Sequence, residues 1–159
     1  MSPANFQPIT LRPYRPEDLE DCMTIWRKAS LAGHPFLSPA EIEADEPLVR
    51  DEYMPMAEIT VASLDRCVVG FIAMLGDVVG GLFVAPEQHR LGIGRALIAF
   101  EAKRRGRMTV EVYEENTKAR AFYRASGFVE TGRRNTDDRG RPYPLVGMDM
   151  AARSTARDR

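Results

Sequence analysis

The chain is short of cysteine, of histidine and of long apolar runs, and it carries almost no net charge. Cys22 and Cys67 are the only cysteines in 159 residues. Their surroundings are unrelated, which argues against a disulfide framework or a metal site and points to a reducing cytoplasm. No apolar stretch approaches the roughly 18 residues a membrane span needs. Residues 1–10 lack the basic and apolar segments of a secretory leader. Lys and Arg total 22 against 23 Asp and Glu, a net charge of −1, so no bulk field draws the chain to nucleic acid or to an anionic membrane. What remains is 44% hydrophobic and 28% charged, a composition that folds around a core. The length suits one domain, expected over residues 1–150, followed by a loose polar tail at 151–159. Charge separates locally: Glu41 to Glu58 is acidic apart from Arg50, whereas 103–107 and 133–141 are rich in arginine. Solvated faces are the plain reading of such runs.

Hydrophobic periodicity predicts alternating strands and helices. Gln7 to Tyr14 reads as a short strand, and Pro16-Glu17-Asp18 opens a helix whose apolar stripe is Leu19, Cys22, Met23 and Trp26. Gly33 and Pro35 end it. Ser38-Pro39-Ala40-Glu41 has the spacing of a capping box and starts a second helix, with Pro47 expected to interrupt it. Strands follow at 58–64 and 68–75 around an Asp65-Arg66 turn, then at 78–84, broken by Gly80-Gly81. Gly92 to Arg105 is the clearest helix. Met108 to Val112 is a strand, Thr117 to Ser126 a helix closed by Gly127, and 128–132 and 145–150 are the last strands. The order implies an α/β or α+β sheet protein rather than a bundle or a sandwich.

The segment from Gly81 to Arg95 carries the most chemical information. An apolar strand stops at Pro86, crosses a polar loop and enters a helix through Gly92-Ile93-Gly94. Glycines let the backbone approach an anion, and the free N–H groups of the first helical turn point at it. His89, Arg90 and Arg95 can add positive charge. A plain strand-to-helix turn is the alternative. A dinucleotide fingerprint is excluded because Leu97 stands where its last Gly or Ala belongs and strands precede the turn. A P-loop is excluded because Gly94-Arg95-Ala96 replaces Gly-Lys-Ser or Gly-Lys-Thr.

His89-Arg90-Leu91-Gly92-Ile93-Gly94, with the strand before it, resembles the acyl-coenzyme A motif of the GNAT superfamily of N-acetyltransferases. His89 stands where that motif has Arg or Gln. Glu111 to Asn116, followed by Ala119 to Phe128, resembles the family's fifth strand and next helix, with the family's Asn and Tyr at Asn116 and Tyr123. Ile25-Trp26, His34-Pro35-Phe36-Leu37 and the stretch from Gly132 to Leu145 are most similar to small bacterial members. The resemblance spans nearly the whole chain. It implies the GNAT fold, a mixed sheet of six to seven strands with about four helices. It implies acetyl-CoA as co-substrate, no metal, and an amine acceptor that is a protein lysine or a small molecule, in a monomer or a homodimer. The pantetheine arm is expected beside the backbone of Leu82, Phe83 and Val84, and the pyrophosphate on residues 89–95. Asn116 either bonds the arm or caps the helix that follows.

An amine must be neutral to attack a thioester, and a lysine-like amine of pKa about 10.4 is roughly one part in a thousand neutral at pH 7. The resemblance makes Tyr123 the candidate acid for the leaving thiolate, with simple packing beside a core Phe122 as the alternative. Gly80 and Gly81 stand where some relatives hold a carboxylate. His34, which ordinarily titrates near neutrality, is therefore the candidate base, and Asp77 the alternative. His34, Phe36 and Tyr143 are expected to line the acceptor pocket, with the acidic 41–58 stretch attracting a cation. Transfer to an antibiotic or a polyamine, or a non-catalytic acyl-CoA sensor, are the competing functions.

Overall fold

The computed structural model describes residues 8–89 and 91–150. Arg90, Gln7 and the polar segment 151–159 lie outside the described residues. Seven strands form one sheet in the order β1-β2-β3-β4-β5-β7-β6: β1 Ile9–Pro13, β2 Glu58–Leu64, β3 Cys67–Leu75, β4 Val78–Val84, β5 Met108–Tyr113, β6 Val129–Arg134 and β7 Leu145–Met150. Every neighbouring pair is antiparallel except β4 and β5. The parallel pair is joined by α4, Ile93–Arg105, because parallel strands need a long crossover. The remaining helices are α1 Leu19–Gly33, α2 Pro39–Leu48, the three-residue α3 Met54–Met56 and α5 Thr117–Ala125. This is the mixed sheet that the sequence led us to expect.

Alternation along the strands separates two hydrophobic clusters. One gathers Ala62, Ile72, Val79, Ile93, Leu97, Val110, Val112 and Tyr123, on the side of α4 and α5. The other gathers Cys22, Met23, Trp26, Ile42, Ile59, Val61 and Phe71, on the side of α1 and α2. Neighbours such as Val61 and Ala62 fall in different clusters because successive side chains leave opposite faces of a strand. The expected stripe on α1 is buried at Cys22, Met23 and Trp26, with Ile25 beside them. On α4, Glu101 is fully buried, bonded to Thr60 (3.1 Å) and Arg105 (2.7 Å).

Local signals are realised with one exception. The β2–β3 turn places Asp65 and Arg66 at φ 54° and 69°, the two left-handed residues of a tight hairpin. Ser38 and Glu41 form the reciprocal capping box of α2. Pro47 does not interrupt α2 as expected. The helix runs on to Leu48, then widens into a π-helical turn at Val49–Tyr53 before α3. Pro47 and Glu43 are both exposed, so the carbonyl deprived of its donor lies on the solvent side and costs little.

The feature that creates a site is a bulge in β4. Val78 and Val79 pair with Leu75 and Met74, but Gly81 pairs with Ala73, leaving Gly80 as an extra residue. The bulge bends β4. The ladder to β5 holds only at Val78–Thr109 and Val79–Val110. Beyond it the two strands part, and the backbone of Gly81 to Val84 has no partner on β5.

Candidate active site

β4 leads through Ala85 and a short turn at Pro86–Gln88 to Gly92, which caps α4. Gly92 has φ +77°, and a Cβ placed there would meet nothing within 4 Å. Backbone conformation, not crowding, therefore favours glycine. The cap has no side-chain acceptor, so the N–H groups of the first turn, from Ile93 to Arg95, lack intrahelical partners and face outward as an anion site. His89, Leu91 and Arg95 are exposed around it. Ile93 is buried instead, against the sheet at Gly70, where a Cβ would stand 3.0 Å from its Cγ2. Ile93 thus anchors the helix and offers only its backbone.

At Gly94, α4 comes close to α5. A Cβ there would lie 3.3 Å from two ring carbons of Phe122 and 3.8 Å from Val84. Leu82 and Val84 pack on the α4 side, whereas Phe83 turns to the other face, over Gly81 and against Phe71 at 5.4 Å. Phe122, expected to be core, is only half-buried. Its neighbour Tyr123 is the buried one, 5% exposed between Phe122 and Phe128. The reason is helical phase: Tyr123 faces the sheet, and Phe122 faces Gly94 across the α4–α5 groove. The Tyr123 hydroxyl has no hydrogen-bond partner among the described residues, and burial holds its pKa above that of a free phenol. It therefore keeps its proton. Asn116 caps α5, accepting the N–H of Ala119 at 3.1 Å, and its amide nitrogen faces Gly33.

These features fit a coenzyme A thioester part by part. The open helix start suits a pyrophosphate, the unpaired β4 edge suits the pantetheine amides, and the buried hydroxyl without a partner suits a sulfur or carbonyl oxygen.

On the other face of the sheet, His34, Phe36, Tyr113 and Tyr143 form one aromatic cluster. His34 closes α1 and lies 5.6 Å from Phe36 and 5.2 Å from Tyr113, ring centre to ring centre. Phe36 lies 5.1 Å from Tyr113 and 5.6 Å from Tyr143. Tyr113 ends β5 beyond the point where β4 and β5 part, so the aromatic cluster stands at the open end of the split. Burial alone pushes His34 down to about 4, with no charged partner to oppose it. The near-neutral titration expected of His34 is therefore corrected: at pH 7 its imidazole is neutral and weakly basic.

A family model described as an acetyltransferase (GNAT) domain matches residues 55–130. The peptidyl-lysine N-acetyltransferase YjaB of Salmonella typhimurium strain LT2 is 38% identical over 88% of this chain and 97% of that protein. The chain belongs to the GNAT acetyltransferases. YjaB of Escherichia coli K12 is 36% identical over 88% of this chain and 95% of that protein. The solution structure of apo-form YjaB from Escherichia coli superposes with a TM-score of 0.83 at 35% identity, covering 92% of this chain and 99% of that one.

The segment matched to the GNAT domain contains the β4–β5 split, α4 and α5. The aromatic cluster draws on residues on both sides of it, and there the sequence reading missed several groups. Asp137 is buried and accepts the Tyr113 hydroxyl (2.9 Å) and Arg141 Nε (2.8 Å) on one oxygen. Its other oxygen accepts the backbone N–H groups of Arg139 (3.0 Å) and Arg141 (2.9 Å). Tyr143 donates to the Glu41 carboxylate, 3.1 Å from either oxygen. A turn around Asp137 and Gly140 is legible in sequence; its partner on β5 is not. The acidic 41–58 stretch is also less available than expected. Asp45 is paired with Arg139 and Arg141, Glu46 with Arg27 and Arg50, and Glu58 with Arg104 and Arg105. Glu41 has no ion pair among the described residues, and the N–H of Ser38, chiefly, holds its carboxyl below the usual range. Asp77 lies at the closed end of the β4–β5 pair, where its carbonyl accepts the N–H of Thr109 at 3.0 Å. That places it away from the open split.

Proposed function

We propose that this GNAT N-acetyltransferase moves an acetyl group from acetyl-CoA to the side-chain amine of a protein lysine, in one domain spanning residues 1–150. The observation that carries the reading is the open β4–β5 split. It has an anion-binding helix start on one face of the sheet and, on the other, an aromatic cluster with the Glu41 carboxylate, which is held by Ser38 and Tyr143 and has no ion pair among the described residues. The lysine acceptor rests on the YjaB relatives, which are named for peptidyl-lysine.

When bound, acetyl-CoA supplies an acetyl group activated as a thioester. The N–H groups at the start of α4 hold its pyrophosphate, with His89, Leu91 and Arg95 around them. The backbone of Leu82, Phe83 and Val84 aligns the pantetheine arm as an added strand would be aligned. The Asn116 amide nitrogen is free to bond the arm while its oxygen caps α5. Tyr123, kept protonated by burial, donates to the sulfur as charge develops there. On the acceptor side, Glu41 attracts the ammonium, and Phe36, Tyr113 and Tyr143 offer ring faces to it. Neutral His34 adds no repulsion and accepts a hydrogen bond from the attacking amine. The ammonium first loses one proton to solvent water. As the C–N bond forms and the C–S bond breaks, the amine's second proton leaves to water, while Tyr123, having protonated the thiolate, is reprotonated from water. The free thiols Cys22 and Cys67 support a reducing compartment, the cytoplasm.

The test is release of free coenzyme A from acetyl-CoA in the presence of an N-terminally blocked, lysine-containing peptide, with mass spectrometry of the peptide. Acetylation on the lysine Nζ is expected. Thiol release with an unmodified peptide, or acetylation only of small polyamines, would refute the acceptor class.

A further inference from the structure

Asp137 is the point at which three separate parts of the acceptor half are tied together. It comes from the β6–β7 connection, yet it is 4% exposed, the most buried residue of that connection. Its four accepted hydrogen bonds divide by oxygen. Oδ1 closes the turn through two backbone N–H groups. Oδ2 reaches outward, to the Tyr113 hydroxyl on β5 and to Arg141 Nε. Arg141 in turn bonds Asp45 on α2 at 3.0 Å. Tyr143, two residues on, bonds Glu41 on the same helix. Tyr113 carries the ring against which His34 and Phe36 pack. The carboxylate stays ionised: burial works against its charge, but the N–H and guanidinium of Arg141, the Tyr113 hydroxyl and the N–H of Arg139 outweigh it.

A turn needs only Oδ1. Oδ2 holds two further groups, the guanidinium of Arg141, which reaches on to α2, and the hydroxyl of an aromatic ring that faces the split. We infer that Asp137 is a positioning residue for acetyl transfer, holding Tyr113, and through it His34, in the geometry that receives the acceptor amine. This rests on the acceptor site proposed above. The side chain of Asp137 makes no hydrogen bond to the acetyl-CoA side among the described residues: its bonds lie within the β6–β7 connection and to β5, and it reaches α2 only through Arg141.

Asp137→Asn separates the two oxygens. An amide oxygen can still close the turn, while the amide nitrogen faces the two donors that Oδ2 accepted. Tyr113→Phe removes the hydroxyl from the other end and leaves the turn intact. For both variants kcat/KM should fall about tenfold or more for the blocked lysine peptide, since a small misplacement of reacting groups costs rates of that order. Acetyl-CoA affinity by calorimetry should stay within about twofold. The double variant should lose little more than Asp137→Asn alone, because both substitutions cut the Tyr113–Asp137 bond and Asp137→Asn disturbs the Arg141 bond in addition. A second readout needs no turnover. The chain has two histidines, so NMR can follow the His34 imidazole alone. Its pKa should rise from about 4 toward the ordinary value in Asp137→Asn, as the Tyr113 ring loosens and water reaches it. Wild-type kcat/KM in folded Asp137→Asn or Tyr113→Phe would overturn the inference, and so would additive losses or an equal loss of acetyl-CoA affinity. If the wild-type protein fails to acetylate the peptide, the proposed acceptor falls; the NMR titration then decides the role of Asp137, and an unmoved His34 refutes it.

Discussion

The two faces of the sheet build their halves of the site in different ways. The face carrying α4 and α5 uses backbone: an open helix start after Gly92, an unpaired β4 edge and a close helix approach at Gly94. The face carrying α1 and α2 uses side chains: His34, Phe36, Tyr113 and Tyr143, tied by Asp137 and Glu41. Backbone recognition tolerates side-chain change and suits a co-substrate whose recognised groups, phosphates and amides, do not vary. Side-chain recognition can be retuned residue by residue and suits the variable partner, the amine. The β4 bulge at Gly80 is what lets the two halves meet, because it opens the sheet between them.

If the faces divide the work in this way, the largest effect should follow from filling the backbone half. Gly94→Glu should weaken acetyl-CoA binding by about 100-fold or more, since a carboxylate would crowd the groove and oppose the pyrophosphate. Its Cβ would also press on Phe122, so a lower melting temperature should accompany the loss. Calorimetry showing wild-type affinity in a folded variant would end the cradle assignment.

Tyr123→Phe sharpens the comparison, because it removes one polar atom from the backbone-dominated half. We expect kcat to drop about 100-fold under conditions where chemistry limits the rate, with acetyl-CoA affinity nearly intact. Thermal stability should hold or rise slightly, since the buried hydroxyl has no partner among the described residues to lose. Wild-type turnover would remove Tyr123 from the acid role, and a clear loss of stability would reveal a hidden partner.

His34 gives the acceptor half a pH signature. Its folded pKa, about 4, lies below the ordinary 6.5. The unfolded chain therefore binds more protons between those values, and stability rises with pH across that window. The contribution is fully present above about 6.5, falls as pH drops through the window, and amounts to about 3 kcal/mol. His34→Gln should flatten denaturant stability between pH 4 and 6.5. In wild-type kcat/KM, no inflection near 6.5 should come from this residue. Substitution should also slow transfer to the amine while sparing acetyl-CoA affinity. Equal slopes of stability with pH in both proteins would show that the imidazole is hydrated.

The smallest effect belongs to a side chain on the backbone half. His89→Ala should weaken acetyl-CoA binding only a few-fold, because the N–H groups after Gly92 remain. A loss comparable to that of Gly94→Glu would mean that side chains, not backbone, carry that half.

The sequence by itself determined what depends on neighbours along the chain. The strand that runs into a turn and then into Gly92-Ile93-Gly94 was legible because an anion cradle is made by consecutive residues with a particular backbone. The capping box of α2, the Asp65-Arg66 hairpin and the apolar stripe of α1 were legible for the same reason: periodicity and turn chemistry act over a few residues. His34, Phe36 and Tyr143 were placed together through resemblance to known enzymes, not through any local pattern. Tertiary structure alone decided the rest. Which of Phe122 and Tyr123 is buried depends on how α5 is rotated against the sheet. The neutrality of His34 depends on the ring of Tyr113 on β5 and on Phe36. Pairing of the 41–58 acids depends on arginines from α1, α4 and the β6–β7 connection. The role of Asp137 depends on a tyrosine 24 residues earlier in the chain. Each of these is a contact between residues whose separation in sequence carries no signal, and a hydrogen bond or a desolvated ring exists only once the fold has brought its partners within reach.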